Sequence, residues 1–337
     1  MTSPTLDHLL GIQYPFIVAP MFLISNTKMV KIALYAGATA AFPALNYRTD
    51  SDLRVAIDEI KSYSDRPFGV NLIVNRSNPR YKAQLQTLLE ARVGYVITSL
   101  GNPKEVIEKC KPLGIKVFCD VVDLTYAQKV ERLGADAVIA VNSMAGGHAG
   151  NLGARELITL LKENCSLPVI SAGGIGTGEQ LRQVMEWGAA GASIGTIFIA
   201  CEESDISAEY KRAMVQYGSA DIVRTTKLSG SPLTVINTPY VRQLGTKANF
   251  LEWILNRNKP LRKYVKMLIA FRGMKAVEKA AFAATYKTVW CAGPAIDHVT
   301  AIVPMKDILD RLISGFTMQT QPPARSAEHT PGSLSLN

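Results

Sequence analysis

Residues 133–140 read LGADAVIA. A helix-like stretch ends on Gly134-Ala135, and a short apolar and β-branched run follows at once. Glycine supplies the left-handed residue that closes a helix, and a run this short suits a strand buried on both faces. The same order recurs as YAGATAAF at 35–42 and WGAAGASI at 187–194. Working outward from these, candidate strands fall at 16–19, 38–42, 68–74, 95–98, 116–119, 137–141, 169–171 and 192–194. Amphipathic stretches separate them, as at 51–60, where Leu53, Ile57 and Ile60 recur at helical spacing. Strands alternating with helices over short connections require parallel crossover units. Eight units by residue 200 predict an α/β fold, a (β/α)8 TIM barrel, with an open doubly wound sheet as the runner-up.

In a barrel the chemistry collects at the C-terminal ends of the strands. Ala19-Pro20-Met21, Asn71, Ser99, Asp120, the stretch SMAGGHAG at 143–150, Ala172-Gly173-Gly174 and Gly195-Thr196 all follow strands. After Thr196 the alternation stops. The reading divides the chain into a barrel over 1–204, a helical basic lid or substrate subdomain over 205–290, a return segment over 291–317 that packs on the barrel, and a disordered tail over 318–337. The tail lacks apolar periodicity.

At 337 residues, 47% hydrophobic and 19% charged, the chain has the composition of a globular protein with a large core. Five scattered cysteines without a CxxC spacing indicate neither a disulfide framework nor a zinc site. The N-terminus shows no basic segment ahead of a long apolar one, and no run approaches the roughly 18 apolar residues of a membrane span. The expected location is the cytoplasm, with no membrane partner. The formal charge of +9 is uneven: residues 242–287 hold eleven Lys or Arg against Glu252 and Glu278, equal to the whole excess. Such a patch suits a phosphorylated cofactor or an acidic carrier protein, or is a solvated helical face. Its aromatics, Phe250, Trp253, Tyr264, Phe271, Phe282 and Tyr286, share helical spacing with Leu251, Leu255, Leu268 and Ile269, which reads as core rather than a nucleic-acid stacking surface. No nucleic-acid partner is expected, and a homodimer is left open.

Two loops carry the glycines that suit a phosphate. SAGGIGTG at 171–178 follows the seventh strand, and Gly195-Thr196 follows the eighth. Loops at these positions form the phosphate site of many barrels, where backbone N–H groups donate to a dianion. The glycine spacing GGxGxG, late in the chain, does not match a dinucleotide fingerprint.

The elements APM at 19–21, GVN at 69–71, GADAV at 134–138, AGGHAG at 145–150, AGGI at 172–175, residues 191–196 and Ala292-Gly293 run in the order of a known family. The chain resembles the flavin-dependent nitronate monooxygenases and their relatives, the flavin-dependent enoyl-acyl-carrier-protein reductases. The resemblance implies an FMN-bearing barrel. By position, Met21 would lie beside the ring system and Asn71 would hydrogen-bond it. Gly146 and Gly147 would let the histidine loop approach the flavin. Gly173, Gly174, Ser193, Ile194, Gly195 and Thr196 would hold the phosphate, and His148 would be the catalytic base. The family tends to carry Gln or Glu seven residues before that histidine; here Val141 stands there, and Asn142 beside it is the candidate substitute.

Imidazole titrates near neutrality, so a neutral His148 suits removal of the α-proton of a nitroalkane beside the flavin, which hands electrons to dioxygen. The second reading is a flavin reductase that takes NAD(P)H as reductant and acts on a quinone or an enoyl thioester. Among weaker candidates, Asp120 is open to substrate contact or helix capping, and Asp123 before Leu-Thr-Tyr-Ala reads as an N-cap. Cys119 reads as packing, His298 as a surface or lid residue, and His8 and His329 lie near the chain ends.

Overall fold

A computed structural model describes residues 3–75, 78–225, 233–246 and 289–318. Eight parallel strands close into a barrel: β1 (Phe16–Val18), β2 (Thr39–Pro43), β3 (Gly69–Ile73), β4 (Tyr95–Ser99), β5 (Lys116–Val121), β6 (Ala137–Val141), β8 (Val169–Ala172) and β9 (Gly191–Ile194). The two-residue strand β7 (Gly147–His148) stands apart from them. Pairing of β9 with β1, Phe16 opposite Ala192 and Val18 opposite Ile194, closes the ring and excludes the open sheet. Every strand read from the sequence is present.

Helix α1 (Leu6–Leu10) precedes the barrel. Helices α2 (Thr27–Tyr35), α3 (Asp50–Tyr63), α4 (Tyr81–Ala91), α5 (Lys104–Cys110), α6 (Leu124–Arg132), α7 (Ala154–Asn164) and α8 (Gly178–Glu186) lie between its strands. The physics of one of them serves for the rest. Thr49 and Asp52 exchange side-chain and backbone hydrogen bonds in a capping box at the start of α3, and Leu53, Ile57 and Ile60 are fully buried on the face turned to the sheet. After β9 the chain leaves the barrel and passes through α9 (Ala208–Gln216) and α10 (Pro239–Leu244). It returns as α11 (Met305–Thr317), which packs against α8 and α2 and so fills the eighth place in the outer layer.

The barrel interior is solid. Ile17, Tyr95, Ile97, Phe118, Ile139 and Ile170 meet there, and Leu6 of α1 joins them. The backbone N–H of Leu6 donates to Ala190 O, just before β9, at 2.8 Å, so α1 caps the N-terminal end. The Tyr95 ring occupies the space that a side chain at Gly69 would need. Because side chains alternate along a strand, Asn71, Ser99 and Asp120 face inward two residues beyond this layer, at the C-terminal mouth.

A second sheet lies outside the barrel. Strand β10 (Ile222–Thr225) pairs antiparallel with β11 (Leu233–Ile236), and β11 pairs with β7, Leu233 opposite His148 and Thr234 opposite Gly147. The sequence reading expects helices through this region; the described residues hold α9 and α10 but also these strands. Four-residue apolar runs do not separate strand from helix by periodicity. The basic stretch 242–287 lies outside the described residues except for 242–246, and the tail lies outside them from 319. Among the described residues no helix is long and apolar enough to cross a membrane, and no cluster of His, Cys, Asp or Glu could hold a metal ion. The five cysteines are free, and burial pushes the Cys110, Cys119, Cys201 and Cys291 thiols up to about 12.

The docking of α11 rests on one close approach. A Cβ at Gly178 would lie 2.0 Å from Phe316 N and 2.3 Å from Leu312 O, and Arg182 on the same helix donates to the carbonyls of Gly315, Phe316 and Met318 at 2.7–2.8 Å. Gly178→Ala therefore forces the two backbones apart. We expect a loss of about 1–3 kcal/mol of stability, read as a lower denaturant midpoint, whereas Gly153→Ala, with nothing within 4 Å of its added carbon, costs only the smaller N-cap preference of α7 for glycine over alanine, below about 1 kcal/mol.

Candidate active site

Asn142, the first residue beyond β6, organises the loop that carries the histidine. Its side-chain Nδ2 donates to Gly173 O at 3.0 Å and its Oδ1 accepts from Met144 N at 2.8 Å. Its backbone N–H reaches Ala172 O at 3.0 Å, while its carbonyl accepts from Ala145 and Gly150. Asn142 is 1% exposed. Both ends of the amide thus serve the loop and tie β6 to the glycines after β8, a role that the sequence reading, which offers it as a polar flavin contact, does not foresee. Gly173, at φ +115°, packs against this amide: a Cβ there would sit 2.5 Å from Asn142 Oδ1 and from Ala145 N.

The next contact is between glycines. A Cβ at Gly146 would lie 2.9 Å from Gly293 N, and one at Gly293 would lie 2.5 Å from Met144 O. The return segment therefore crosses the histidine loop backbone to backbone. Gly293 N also donates to Thr196 Oγ1 at 3.1 Å, which joins both segments to the loop after β9. Gly146, expected to admit the flavin, also admits the main chain of Ala292-Gly293. Across the mouth, Met21 Sδ lies 3.3 Å from the Cβ position of Gly195, and Met144 lies beside Gly174. Among the described residues, no carbonyl or side chain accepts from the backbone N–H groups of Gly174, Gly195 and Thr196. Ser193 and Ile194 are buried in β9 directly before these donors.

His148 belongs to β7, so its backbone is held by β11 through the pairing with Leu233. Arg224 of β10 adds a hydrogen bond from Nη2 to Ala149 O at 2.9 Å. The side chain remains exposed to solvent, yet the protein crowded around it disfavours imidazolium and holds its pKa below the usual 6.5. Gly147, at φ +74° with open space around it, gives the loop its turn.

On the far side of the mouth three strands contribute a polar chain. Asn71 Nδ2 donates to Ile97 O at 3.2 Å and to Ser99 Oγ at 2.7 Å, and Ser99 Oγ donates to Asp120 Oδ2 at 2.5 Å. Burial pushes the Asp120 carboxyl up to about 6, against the Ser99 hydrogen bond, which lowers it. The sequence reading notes Ser99 only as a strand-end residue and Asp120 only as a weak candidate. The signal available was that both end adjacent strands on the inward phase. Of the other candidates, Asp123 is the N-cap of α6, accepting from Tyr126 N at 2.8 Å. Cys119 is buried beside Thr98, and His298 lies against Gly176, exposed. His8 bonds Thr5 at the opposite end of the barrel, and His329 lies outside the described residues.

The nitronate monooxygenase family model matches residues 3–315. A nitronate monooxygenase of Paraburkholderia phytofirmans is 30% identical over 66% of this chain and 73% of its own. A (3aS,4S,5R,7aS)-5-hydroxy-7a-methyl-1-oxo-octahydro-1H-indene-4-carboxyl-CoA dehydrogenase of Rhodococcus jostii is also 30% identical, over 72% of this chain and 68% of its own. Among solved structures, FabK of Thermotoga maritima superposes with a TM-score of 0.80 at 28% identity, covering 94% of this chain and 96% of that one. With the closed barrel, the three joined loops and this match in view, the chain belongs to the nitronate monooxygenase family of flavin-dependent oxidoreductases.

Proposed function

We propose that the protein binds FMN at the barrel mouth and oxidises alkyl nitronates or neutral nitroalkanes with dioxygen, His148 serving as the base. The observation that carries this reading is His148 itself. It is an exposed imidazole kept neutral by its surroundings, on a strand anchored at both flanks. The donor set suits a flavin phosphate. Backbone N–H groups of Gly174, Gly195 and Thr196 with no acceptor among the described residues are what a dianion requires. Gly173, Ser193 and Ile194 shape that cradle, while Asn71, Met21, Gly146 and Gly147 would flank the ring system. Asn142 is left out of the contact set, because its amide is committed to the loop.

FMN, when bound, supplies the electron transfer to dioxygen that no side chain performs well. The chain's own work is to bind, orient and move a proton. His148 accepts the α-proton of the nitroalkane on a ring nitrogen, and the anchored β7 keeps that nitrogen in place.

A second reading has support of its own. A relative named as a CoA-thioester dehydrogenase is as similar as the nitronate monooxygenase, and the FabK superposition covers nearly the whole chain. In that reading NAD(P)H would be the reductant and the substrate would be a quinone or an enoyl thioester, with the basic segment 242–287 drawing in a phosphate-bearing ligand or an acidic carrier protein. An anaerobic titration separates the two. Bleaching of the flavin by a small alkyl nitronate, with NADPH slow, is the outcome expected here; fast bleaching by NADPH alone favours the reductase.

His148→Ala is expected to keep bound FMN, visible in the absorption spectrum, and to lose roughly 100-fold or more in turnover of a neutral nitroalkane. With preformed nitronate, which has no α-proton to lose, the loss is much smaller. Equal losses on both substrates would remove His148 as the base.

The pH profile follows from the direction of the His148 shift. A base must be unprotonated to act, and the depressed pKa keeps it so at pH 7. Turnover of the neutral nitroalkane is expected to fall toward acid pH with a midpoint below that of an ordinary imidazole.

A further inference from the structure

We propose that Asp120 is a positioning residue which acts through Ser99 on Asn71, so that Asn71 presents its carbonyl oxygen, and not its amide nitrogen, to a bound group. The inference rests on the flavin reading of the mouth only for the identity of that group. The relay is a matter of donors and acceptors.

Ile97 O is an acceptor only, so the Asn71 nitrogen must face it, at 3.2 Å. The second Asn71 N–H points at Ser99 Oγ, 2.7 Å away. Ser99 accepts that hydrogen and has one of its own to give, and Asp120 Oδ2 stands 2.5 Å from it. An ionised carboxylate accepts and cannot donate, so the chain runs one way, from Asn71 through Ser99 to Asp120. Both Asn71 amide hydrogens are then used within the barrel. Only Oδ1 remains for a ligand, so the β3 side of the mouth recognises a group that brings an N–H or O–H donor.

The direction depends on the charge of Asp120. A protonated Asp120 can donate to Ser99, which weakens Ser99 as the end of the chain. No Lys, Arg or His among the described residues forms an ion pair with Asp120. Its titratable neighbours are the Cys119 thiol on its own strand and the Tyr126 hydroxyl on α6, both pushed up to about 12 and neutral over the working range. Desolvation sets the carboxyl near 6, so the charge of Asp120 changes in an accessible window.

The experiment uses full-length protein labelled with 15N in its asparagine side chains, with and without FMN. In FMN-free wild type, the Asn71 amide resonances, assigned by their loss in Asn71→Ala, are expected to titrate with a midpoint of about 6. Asp120→Asn and Ser99→Ala should each abolish that titration, and Ser99→Thr, which keeps the hydroxyl, should retain it. In parallel, the Kd for FMN in wild type is expected to weaken about tenfold, one hydrogen bond's worth, between pH 7.5 and 5. In both Asp120→Asn and Ser99→Ala it should be weak at either pH and change only by the amount that protonation of the FMN phosphate contributes to every form, which riboflavin as the ligand removes, with the double variant no worse than either single one. A flat Asn71 titration in wild type, its persistence in Ser99→Ala, or additive losses in the double variant overturns the proposal. Failure of wild type to bind FMN at any pH overturns the flavin reading instead, and shows before any variant is compared.

Discussion

The main chains of Gly146 and Gly293 cross at a distance that excludes a β-carbon on either, and the arrangement of the mouth follows from that contact. The barrel fixes where β6, β8 and β9 end, but not how their loops lie against each other. The crossing does that. Gly293 takes hold of Thr196 with its N–H while Gly146 lies against it, and Asn142 fastens the other end of the same loop to Gly173. Three loops and the return segment thereby become one body. His148 stands two residues from the crossing and is held on its other side by β11, so a displacement at either anchor reaches the imidazole directly.

The same geometry explains why the chain departs from the barrel after β9 and comes back. Helix α11 fills the eighth place in the outer layer, tight against α8 at Gly178. The segment that enters it, Ala292-Gly293, passes the mouth on the way. The excursion between β9 and α11 thus delivers two elements to the site, the β10–β11 pair that extends to β7 and the strand of backbone that crosses at Gly146.

Legibility in the sequence divides along a physical line. The eight barrel strands announce themselves because each is a short, largely buried apolar run, and several are set off by a glycine that ends the helix before them, as at Gly37, Gly134 and Gly188. The phosphate-type loops are legible because their position after the last two strands follows from the strand count. Strand β7 was not, since two residues have no period, and its partner Leu233 lies far along the chain. Asn142 was read as a substitute for a residue at 141, whereas its amide closes a turn; a turn residue and a ligand contact look alike in one dimension. The Asn71, Ser99 and Asp120 chain is a product of register. Ile73 lies opposite Ser99 and Thr98 opposite Cys119, and only that alignment turns three unremarkable strand ends into neighbours.

Register also places the polar groups around the mouth unevenly. Val141 faces the interior at the end of β6, packed against the apolar core with Ala172. That side of the mouth offers a bound group little beyond backbone. On β5, next to it, Asp120 lies opposite Ile139 and carries the only carboxylate that the barrel strands hold on their inward face among the described residues. A carboxylate in such a place is unfavourable unless something stabilises its charge, and Ser99 does so while passing the effect to Asn71. His148 meets the opposite demand, since the protein packed around the solvent-exposed imidazole disfavours its charged form and keeps it neutral. At pH 7 the mouth therefore pairs an unprotonated base on one side with a mostly ionised acid on the other. Each is set to its state by burial and by the few hydrogen bonds that the strand register allows.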